Sequence, residues 1–185
     1  MLNHLLFGLW YFLPAGFANA APVFAKKIPL LNKLDMPIDC HKSFKGKRIF
    51  GDHKTVRGFV AGTLIGSVTG LLQYVAYFHF GWFQNFSLVI YTSVWQCLLL
   101  GALLGFGALF GDAVKSFFKR QFSVPSGKAW FPFDQIDYII GGLLFGSILI
   151  DLPHSEYIWI VLVWFLIHPL ATFIGWLMGL KDSPI

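Results

Sequence analysis

The sequence has little charge for its length. Only 12% of its 185 residues are Asp, Glu, Lys or Arg, whereas about a quarter of a typical soluble domain is charged. Hydrophobic residues account for 56% of the chain. This composition excludes an ordinary soluble protein and indicates a chain that folds in lipid.

Several familiar motifs are also missing. The sequence has no P-loop, dinucleotide-binding fingerprint, Ser-His-Asp order or zinc motif, and its two cysteines, Cys40 and Cys97, lack metal-ligand spacing. We expect no disulfide between them, because Cys97 lies inside a long apolar segment. No repeat is visible, and the longest polar segment, 26–55, is too short to bury a core of its own. We therefore predict a single membrane-embedded domain over residues 1–185.

Long apolar segments are what the sequence does contain. A helix needs roughly 20 apolar residues to cross ~30 Å of hydrocarbon. Four of the apolar segments reach that length, whereas 136–152 is short and rich in glycine, so it is either a short span or a buried helix. We predict an all-α, polytopic membrane protein with about five transmembrane helices, at about 2–25, 56–80, 87–111, 136–152 and 157–180.

The basic residues lie on one side of this topology. All 14 Lys and Arg residues fall in or beside loops 26–55 and 112–135 and the C-terminal tail. The N-terminus and the short loops 81–86 and 153–156 have none. The positive-inside rule then predicts two cytoplasmic loops in a multi-pass protein of the cell membrane, with its N-terminus outside and its C-terminus in the cytoplasm.

The first apolar segment has two unusual features. The run Leu5–Phe17 followed by Ala18-Asn19-Ala20 resembles a signal peptide, but no Lys or Arg precedes it, which favours a retained span. Pro14 and Pro22 interrupt the segment, and such irregular backbone is tolerated in lipid only where protein or a cavity covers it. We therefore expect Asn19 to face the bundle interior, either in an interhelical hydrogen bond or against a ligand.

The end of the third span carries the most informative pattern. Asp112, Ser116, Lys119 and Arg120 are spaced to share one helical face. A carboxylate, a hydroxyl and two cations in one stripe suit a Mg²⁺-polyphosphate site. An ordinary cytoplasmic helix end would explain Lys119 and Arg120 but not a lone carboxylate at the bilayer boundary.

Two further acids open the fourth span. Asp134 and Asp137 are three residues apart, so they meet on one side of a helix and repel unless a cation separates them. Helix capping by Asp134 is the alternative interpretation. Together with Asp112, they predict a metal site at one membrane boundary.

The second span begins with a basic cluster. Lys54 and Arg57 are three residues apart and, with Thr55, belong to the segment Gly51–Gly58. This segment and the lysines before it suit either an anchor for anionic lipids or a binding site for a triphosphate.

These motifs resemble one enzyme family. The G-D-x3-S-x2-K-R run from Gly111 and the D-Q-I-D run from Asp134 are similar to the signature of membrane CTP:phosphatidate cytidylyltransferases. The P-A-x2-A-N-x2-P-V run at 14–23 and the G-x2-K-T-x-R-G run at 51–58 are closer to their small five-span relatives, the CDP-archaeol synthases. The G-H-G-G element of the diacylglycerol-type enzymes is absent, and Gln135 replaces their arginine, which favours the archaeol branch.

The resemblance implies transfer of a cytidylyl group from CTP to an isoprenoid ether-lipid phosphate, giving CDP-archaeol and pyrophosphate. It implies Mg²⁺ as cofactor, and CTP and a membrane lipid phosphate, but no nucleic acid, as partners. A small anion transporter and a non-catalytic protein that binds anionic lipid are the alternatives. The implied roles are catalysis by Asp112, Lys115, Ser116, Lys119 and Arg120, nucleotide binding by Asn19, Lys54, Thr55 and Arg57, and metal binding by Asp112, Asp134 and Asp137.

Overall fold

Helices dominate the structure, a computed structural model that describes residues 1–125 and 128–179. A two-stranded antiparallel hairpin, β1 (Ser43–Phe44) with β2 (Lys47–Arg48), and short 3-10 helices at Pro29–Leu34 and Gly81–Asn85 lie between helices. The all-α prediction is confirmed, while the basic residue of the C-terminal tail, Lys181, lies outside the described residues. The five α-helices of the described part are α1 (Leu2–Ala25), α2 (Val56–His79), α3 (Val94–Gln121), α4 (Phe133–Gly146) and α5 (His154–Leu177).

The helices differ in their capacity to cross a membrane. Within the described residues, α2, α3 and α5 are long and apolar enough to do so by length and composition. The helix α1 has 24 residues without a Lys, Arg, Asp or Glu. With 14 residues, α4 rises only about 21 Å, less than the ~30 Å hydrocarbon layer. Five spans therefore stay a prediction, because neither α1 nor α4 is among the helices that meet both criteria.

The third span begins later than predicted. Residues 86–93 are not helical, and Phe86, Val89 and Tyr91 from this segment are buried in the core. The helix α3 starts only after Ser93, whose Oγ accepts a hydrogen bond from the Gln96 N–H at 3.2 Å. Hydropathy alone could not separate this buried apolar loop from the helix that follows it.

The first helix is continuous through both prolines. Pro14 has no N–H, so the carbonyl of Trp10, four residues earlier, loses its partner within the helix. Gln73 of α2 replaces that partner, because its Nε2 donates to Trp10 O at 2.5 Å. The carbonyl group that the proline leaves without a helical partner is thus hydrogen-bonded by a neighbouring helix.

Glycines let the central helices approach each other closely. A Cβ on Gly66 of α2 would collide with the backbone of α3 at Gly101, and one on Gly111 of α3 would collide with the carbonyl oxygen of Asp137 on α4. Small residues at helix contacts have this effect in membranes. The second contact also brings α3 close to the first turns of α4, next to the acidic residues of both helices.

The two ends of the bundle have different chemistry. At the end that lacks Lys and Arg, Trp10 Nε1 donates to Tyr91 OH at 3.1 Å, and His4 Nδ1 lies 2.7 Å from the buried Glu156 carboxylate. The opposite end carries loop 26–55 and the segment between α3 and α4. The candidate site residues are at this basic end.

Candidate active site

Loop 26–55 is organised around one buried acid. The side chain of Asp39 is fully buried and accepts hydrogen bonds from the N–H groups of His41 (3.1 Å), Phe50 (3.0 Å) and Gly51 (3.0 Å), and from Arg48 at 2.9 Å. Burial alone would raise the pKa of Asp39, but the hydrogen bonds from Arg48 and from these N–H groups lower it to about 2. The carboxylate therefore fixes the turn that leads into α2.

The same loop is fastened to two helices. Arg57 near the start of α2 lies 3.0 Å from Asp35, and Lys47 Nζ donates to Gln121 O at 2.6 Å and to Ser123 Oγ at 2.8 Å at the end of α3. These contacts place residues 50–54 beside the last turns of α3.

A group of charged side chains lies where α2, α3 and α4 begin or end. Lys115 Nζ is 3.0 Å from Asp112, 2.8 Å from Asp134 and 2.8 Å from Asp137, and Lys54 pairs with Asp112 from the loop. We call these five residues the acid–lysine cluster. Their side chains are 7–21% exposed, so the charges interact in a partly desolvated setting.

Asp134 is fixed by further contacts. Its Oδ2 accepts a hydrogen bond from the Trp130 N–H at 2.5 Å, and its Oδ1 lies 3.3 Å from Lys119 Nζ, which donates to Lys128 O at 2.6 Å. The capping alternative for Asp134 is wrong, because Pro132 is the N-cap residue of α4 and Asp134 lies in the first helical turn.

Two clefts meet at the cluster. The first, about 450 Å³, is polar, and its charged or hydroxyl-bearing lining includes Arg48, His53, Lys54, Ser116, Lys119 and Arg120. The second, about 920 Å³, is lined mainly by apolar residues of α1 and α5, among them Leu9, Leu13, Phe17, Trp164, Ile167 and Ile174. We call them the polar cleft and the apolar cleft. Both are lined by His53, Lys54, Lys115 and Lys119, so they join at the cluster.

The structure brings most of the predicted residues to these clefts. Ser116 and Arg120 line the polar cleft, and the three acids and Asn19 line the apolar cleft. Thr55 lines the apolar cleft and also caps α2, since its Oγ1 accepts from the Gly58 N–H at 3.2 Å.

Arg57 is not brought to either cleft of the described structure. It is 5% exposed and pairs with Asp35 and Asn32. The spacing of Lys54 and Arg57 predicted a shared face, but Thr55 between them is an extended N-cap residue. The helical periodicity therefore does not include Lys54, and the two cations point to different neighbours.

Sequence patterns did not point to Asp39 as a member of this region. Asp39 lies in an irregular turn in which Cys40 and His41 have positive φ angles of 46° and 61°. Its partners are mostly backbone groups, which have no signature in the sequence. An acid inside a strongly basic loop was the one available signal.

The residues present fit a hard divalent cation. In the described part of the chain, no three His, Cys, Asp or Glu side chains are arranged to hold a metal, because Lys115 lies between the carboxylates. However, the carboxylates of Asp112, Asp134 and Asp137 converge on one point, the Lys115 ammonium, which lies within 3.0 Å of each. Carboxylate oxygens of this kind are the ligands that Mg²⁺ prefers.

Comparison with known proteins gives one consistent result. The family model described as CarS-like, CDP-archaeol synthase, matches residues 1–185. The CDP-archaeol synthase of Thermococcus onnurineus is 39% identical over 184 residues, covering 99% of this chain and 98% of the relative. That of Methanocaldococcus jannaschii is 38% identical over 185 residues, covering 98% of each.

A solved structure has a similar fold. It is described as an intramembrane enzyme for archaeal membrane lipids biosynthesis, and it superposes with a TM-score of 0.71 at 26% sequence identity. The match covers 90% of this chain and 93% of that one. The similarity thus extends over most of the chain.

Proposed function

The chain belongs to the CarS-like family of CDP-archaeol synthases, and we infer that it transfers a cytidylyl group from CTP to an isoprenoid ether-lipid phosphate, with the acid–lysine cluster as its active site. It is a multi-pass membrane enzyme, and the products are CDP-archaeol and pyrophosphate. We choose this site because a polar cleft and an apolar cleft join at this one group of charged side chains. The transporter and lipid-binding alternatives are not favoured by the family.

The polar cleft suits the nucleotide. A triphosphate carries several negative charges, and Lys54, Lys119 and Arg120 supply cations along the wall of this cleft. Arg120 presents a planar fork that matches phosphate oxygens, and its Nε is buried without a hydrogen-bond partner among the described residues. Ser116 offers a hydroxyl to the same anion.

The apolar cleft suits the lipid. Its walls are mainly apolar residues of α1 and α5, and Phe17, Phe24 and Met178 of its lining are 50–66% exposed at the surface of the bundle. The cleft therefore opens sideways, toward the lipid that surrounds a membrane protein. An isoprenoid acceptor can enter along this face with its phosphate leading to the cluster.

The chemistry requires positioning and charge neutralisation more than proton transfer. A phosphate oxygen of the lipid attacks the α-phosphorus of CTP, a new P–O bond forms, the bond between the α-phosphorus and the bridging oxygen breaks, and pyrophosphate leaves with the electron pair. No general base is needed, because the lipid phosphate is already an anion. Lys119 and Arg120 lie where they can neutralise the charge that develops on pyrophosphate.

We assign Mg²⁺ binding to Asp112, Asp134 and Asp137. A bound Mg²⁺ would neutralise triphosphate charge and orient the α-phosphate. Lys54 pairs with Asp112 and holds that carboxylate at the junction of the clefts.

The orientation follows from the same charges. The positive-inside rule places the basic end, and with it the polar cleft, in the cytoplasm, and the N-terminus outside the cell membrane. CTP then reaches the site from the water-soluble side, while the acceptor arrives from the leaflet.

An assay of the purified protein tests the proposed site. We expect pyrophosphate release from CTP and Mg²⁺ only when an isoprenoid ether-lipid phosphate is present. Asp112→Asn and Asp137→Asn should lower the rate by at least about 100-fold, within the range for removing one electrostatic contact of a transition state. Asp151→Asn, which removes an acid from the opposite end of the bundle, is the matched control and should keep the rate. Full rates in folded Asp112→Asn and Asp137→Asn proteins would refute the assignment.

A further inference from the structure

Lys115 occupies an unusual position in the acid–lysine cluster. Its ammonium nitrogen lies within 3.0 Å of all three acids, Asp112, Asp134 and Asp137. Asp112 is on its own helix, one turn earlier, whereas the other two come from α4. The side chain is 13% exposed, so the ammonium is held among the carboxylates and largely away from solvent.

A metal held by these carboxylates would need the same space. Mg²⁺ binds oxygen ligands at about 2.0–2.1 Å and tolerates little distortion, so three ligands that converge on it cannot also enclose an ammonium group. Two cations a few ångströms apart in a partly buried site repel each other strongly. Lys115 and a metal therefore compete for one position.

The Lys115 side chain also borders the polar cleft. It lines the polar cleft as well as the apolar one, so its flexible side chain is within reach of the cleft assigned to the triphosphate. The negative charge of the nucleotide would attract it there.

We propose that Lys115 is a built-in cation that fills the carboxylate triad in the free enzyme, excludes divalent metal from it, and leaves only when the triphosphate of CTP draws its ammonium into the polar cleft. This proposal rests on the proposed active site. It adds that metal and nucleotide bind to the site together, whereas metal alone binds weakly. By linkage, the metal strengthens nucleotide binding by the same factor.

Binding of Mn²⁺, followed by electron paramagnetic resonance, tests the proposal without turnover. The full chain is purified in detergent and titrated with Mn²⁺, alone and with the non-transferable analogue α,β-methylene CTP. The variants are Lys115→Met, which removes the charge but keeps most of the side-chain bulk, and Lys115→Arg, which keeps the charge. Lys42→Met removes one exposed lysine from the cytoplasmic loop and serves as the control for net charge.

The expected results separate the variants clearly. The wild-type, Lys115→Arg and Lys42→Met proteins should bind Mn²⁺ at least about tenfold more tightly with the analogue than without it. Lys115→Met should bind Mn²⁺ without nucleotide at least about tenfold more tightly than wild type, because a neighbouring positive charge no longer opposes the metal. Adding Asp137→Asn to Lys115→Met should abolish that gain, which places the metal in the triad.

Two outcomes would overturn the proposal. One is equal affinity of wild type and Lys115→Met for Mn²⁺ in the absence of nucleotide, and the other is wild-type binding that does not change when the analogue is added. If wild type with the analogue binds no Mn²⁺ but Lys115→Met alone does, Lys115 excludes the metal but CTP does not displace it, so the exchange fails while the carboxylate site of the proposed function stands. Should Lys115→Met not fold, Lys115→Gln gives the same test, with the rise of its melting temperature on adding Mg²⁺ as a second readout.

Discussion

Replacing Asp39 by Asn would test whether the loop over the polar cleft is held by one buried carboxylate. Asp39 Oδ2 accepts the N–H groups of Phe50 and Gly51, both at 3.0 Å, while Oδ1 accepts the N–H of His41. An amide has only one oxygen, so in either orientation its NH₂ group faces backbone donors. At least one partly buried N–H loses its partner, which costs about 1–3 kcal/mol for a fully buried group and less here.

The cost should appear as weaker nucleotide binding. Phe50 and Gly51 line the polar cleft, and the apparent affinity for a ligand falls in proportion to the fraction of protein whose site is formed. We expect the KM for CTP to rise by about 5- to 50-fold in Asp39→Asn. The KM for the lipid acceptor and the rate at saturating CTP should change by less than about twofold. The reason is that none of the hydrogen-bond partners of Asp39 described above lines the apolar cleft.

Initial rates of pyrophosphate release, with each substrate varied in turn, measure both constants. Hydrogen exchange provides the independent readout, since the amides of Phe50 and Gly51 should exchange faster in the variant. Asp39→Glu, which keeps the charge and both oxygens, should recover part of the affinity, and Asp151→Asn is the distant control. An unchanged KM for CTP together with unchanged exchange at these amides would show that the loop does not depend on Asp39.

The pH dependence of the loop follows from the same contacts. The pKa of Asp39 is lowered from 3.8 to about 2 in the folded chain, so its contribution to stability is fully present above the unfolded value and is lost as the pH falls through about 2. Exchange at Phe50 and Gly51 should therefore show no transition from Asp39 between pH 5 and 8.

Two further predictions concern the helices that carry the site. Gln73→Leu leaves the Trp10 carbonyl without its donor and should destabilise the protein by about 1–3 kcal/mol. The melting temperature in detergent should fall, while the activity per folded molecule should not change. The control Gln84→Leu removes an exposed hydrogen bond and should change the melting temperature little. Gly111→Ala would place a Cβ against the Asp137 carbonyl and should lower both melting temperature and activity, whereas Gly81→Ala, with open space around it, should not. Equal melting temperatures within either pair would contradict the packing argument.

Patterns in the sequence predicted the features that depend on periodicity and composition. The apolar segments gave the helices, and the spacing of Asp134 and Asp137 correctly indicated that both acids reach one position. What the patterns missed depends on irregular backbone: the late start of α3, the separation of Lys54 from Arg57 by an N-cap residue, and the Asp39 turn. Such features are set by contacts between distant segments, which a local spacing rule does not contain.

The glycines and the acids at the site are two parts of one arrangement, although their patterns in the sequence look independent. Gly111 on α3 packs against the Asp137 carbonyl and Gly141 of α4, and a side chain at this contact would push the helices apart. Asp112 follows Gly111 directly, and Asp137 is one turn before Gly141. The contact therefore sets how closely the carboxylates of the two helices approach Lys115. The ion pairs of Lys115 with Asp112 and Asp137 are 3.0 and 2.8 Å long, so the separation of the helices can vary little without breaking one of them. Packing glycines that appear to serve only the fold thus fix the geometry on which the proposed exchange between lysine and metal depends.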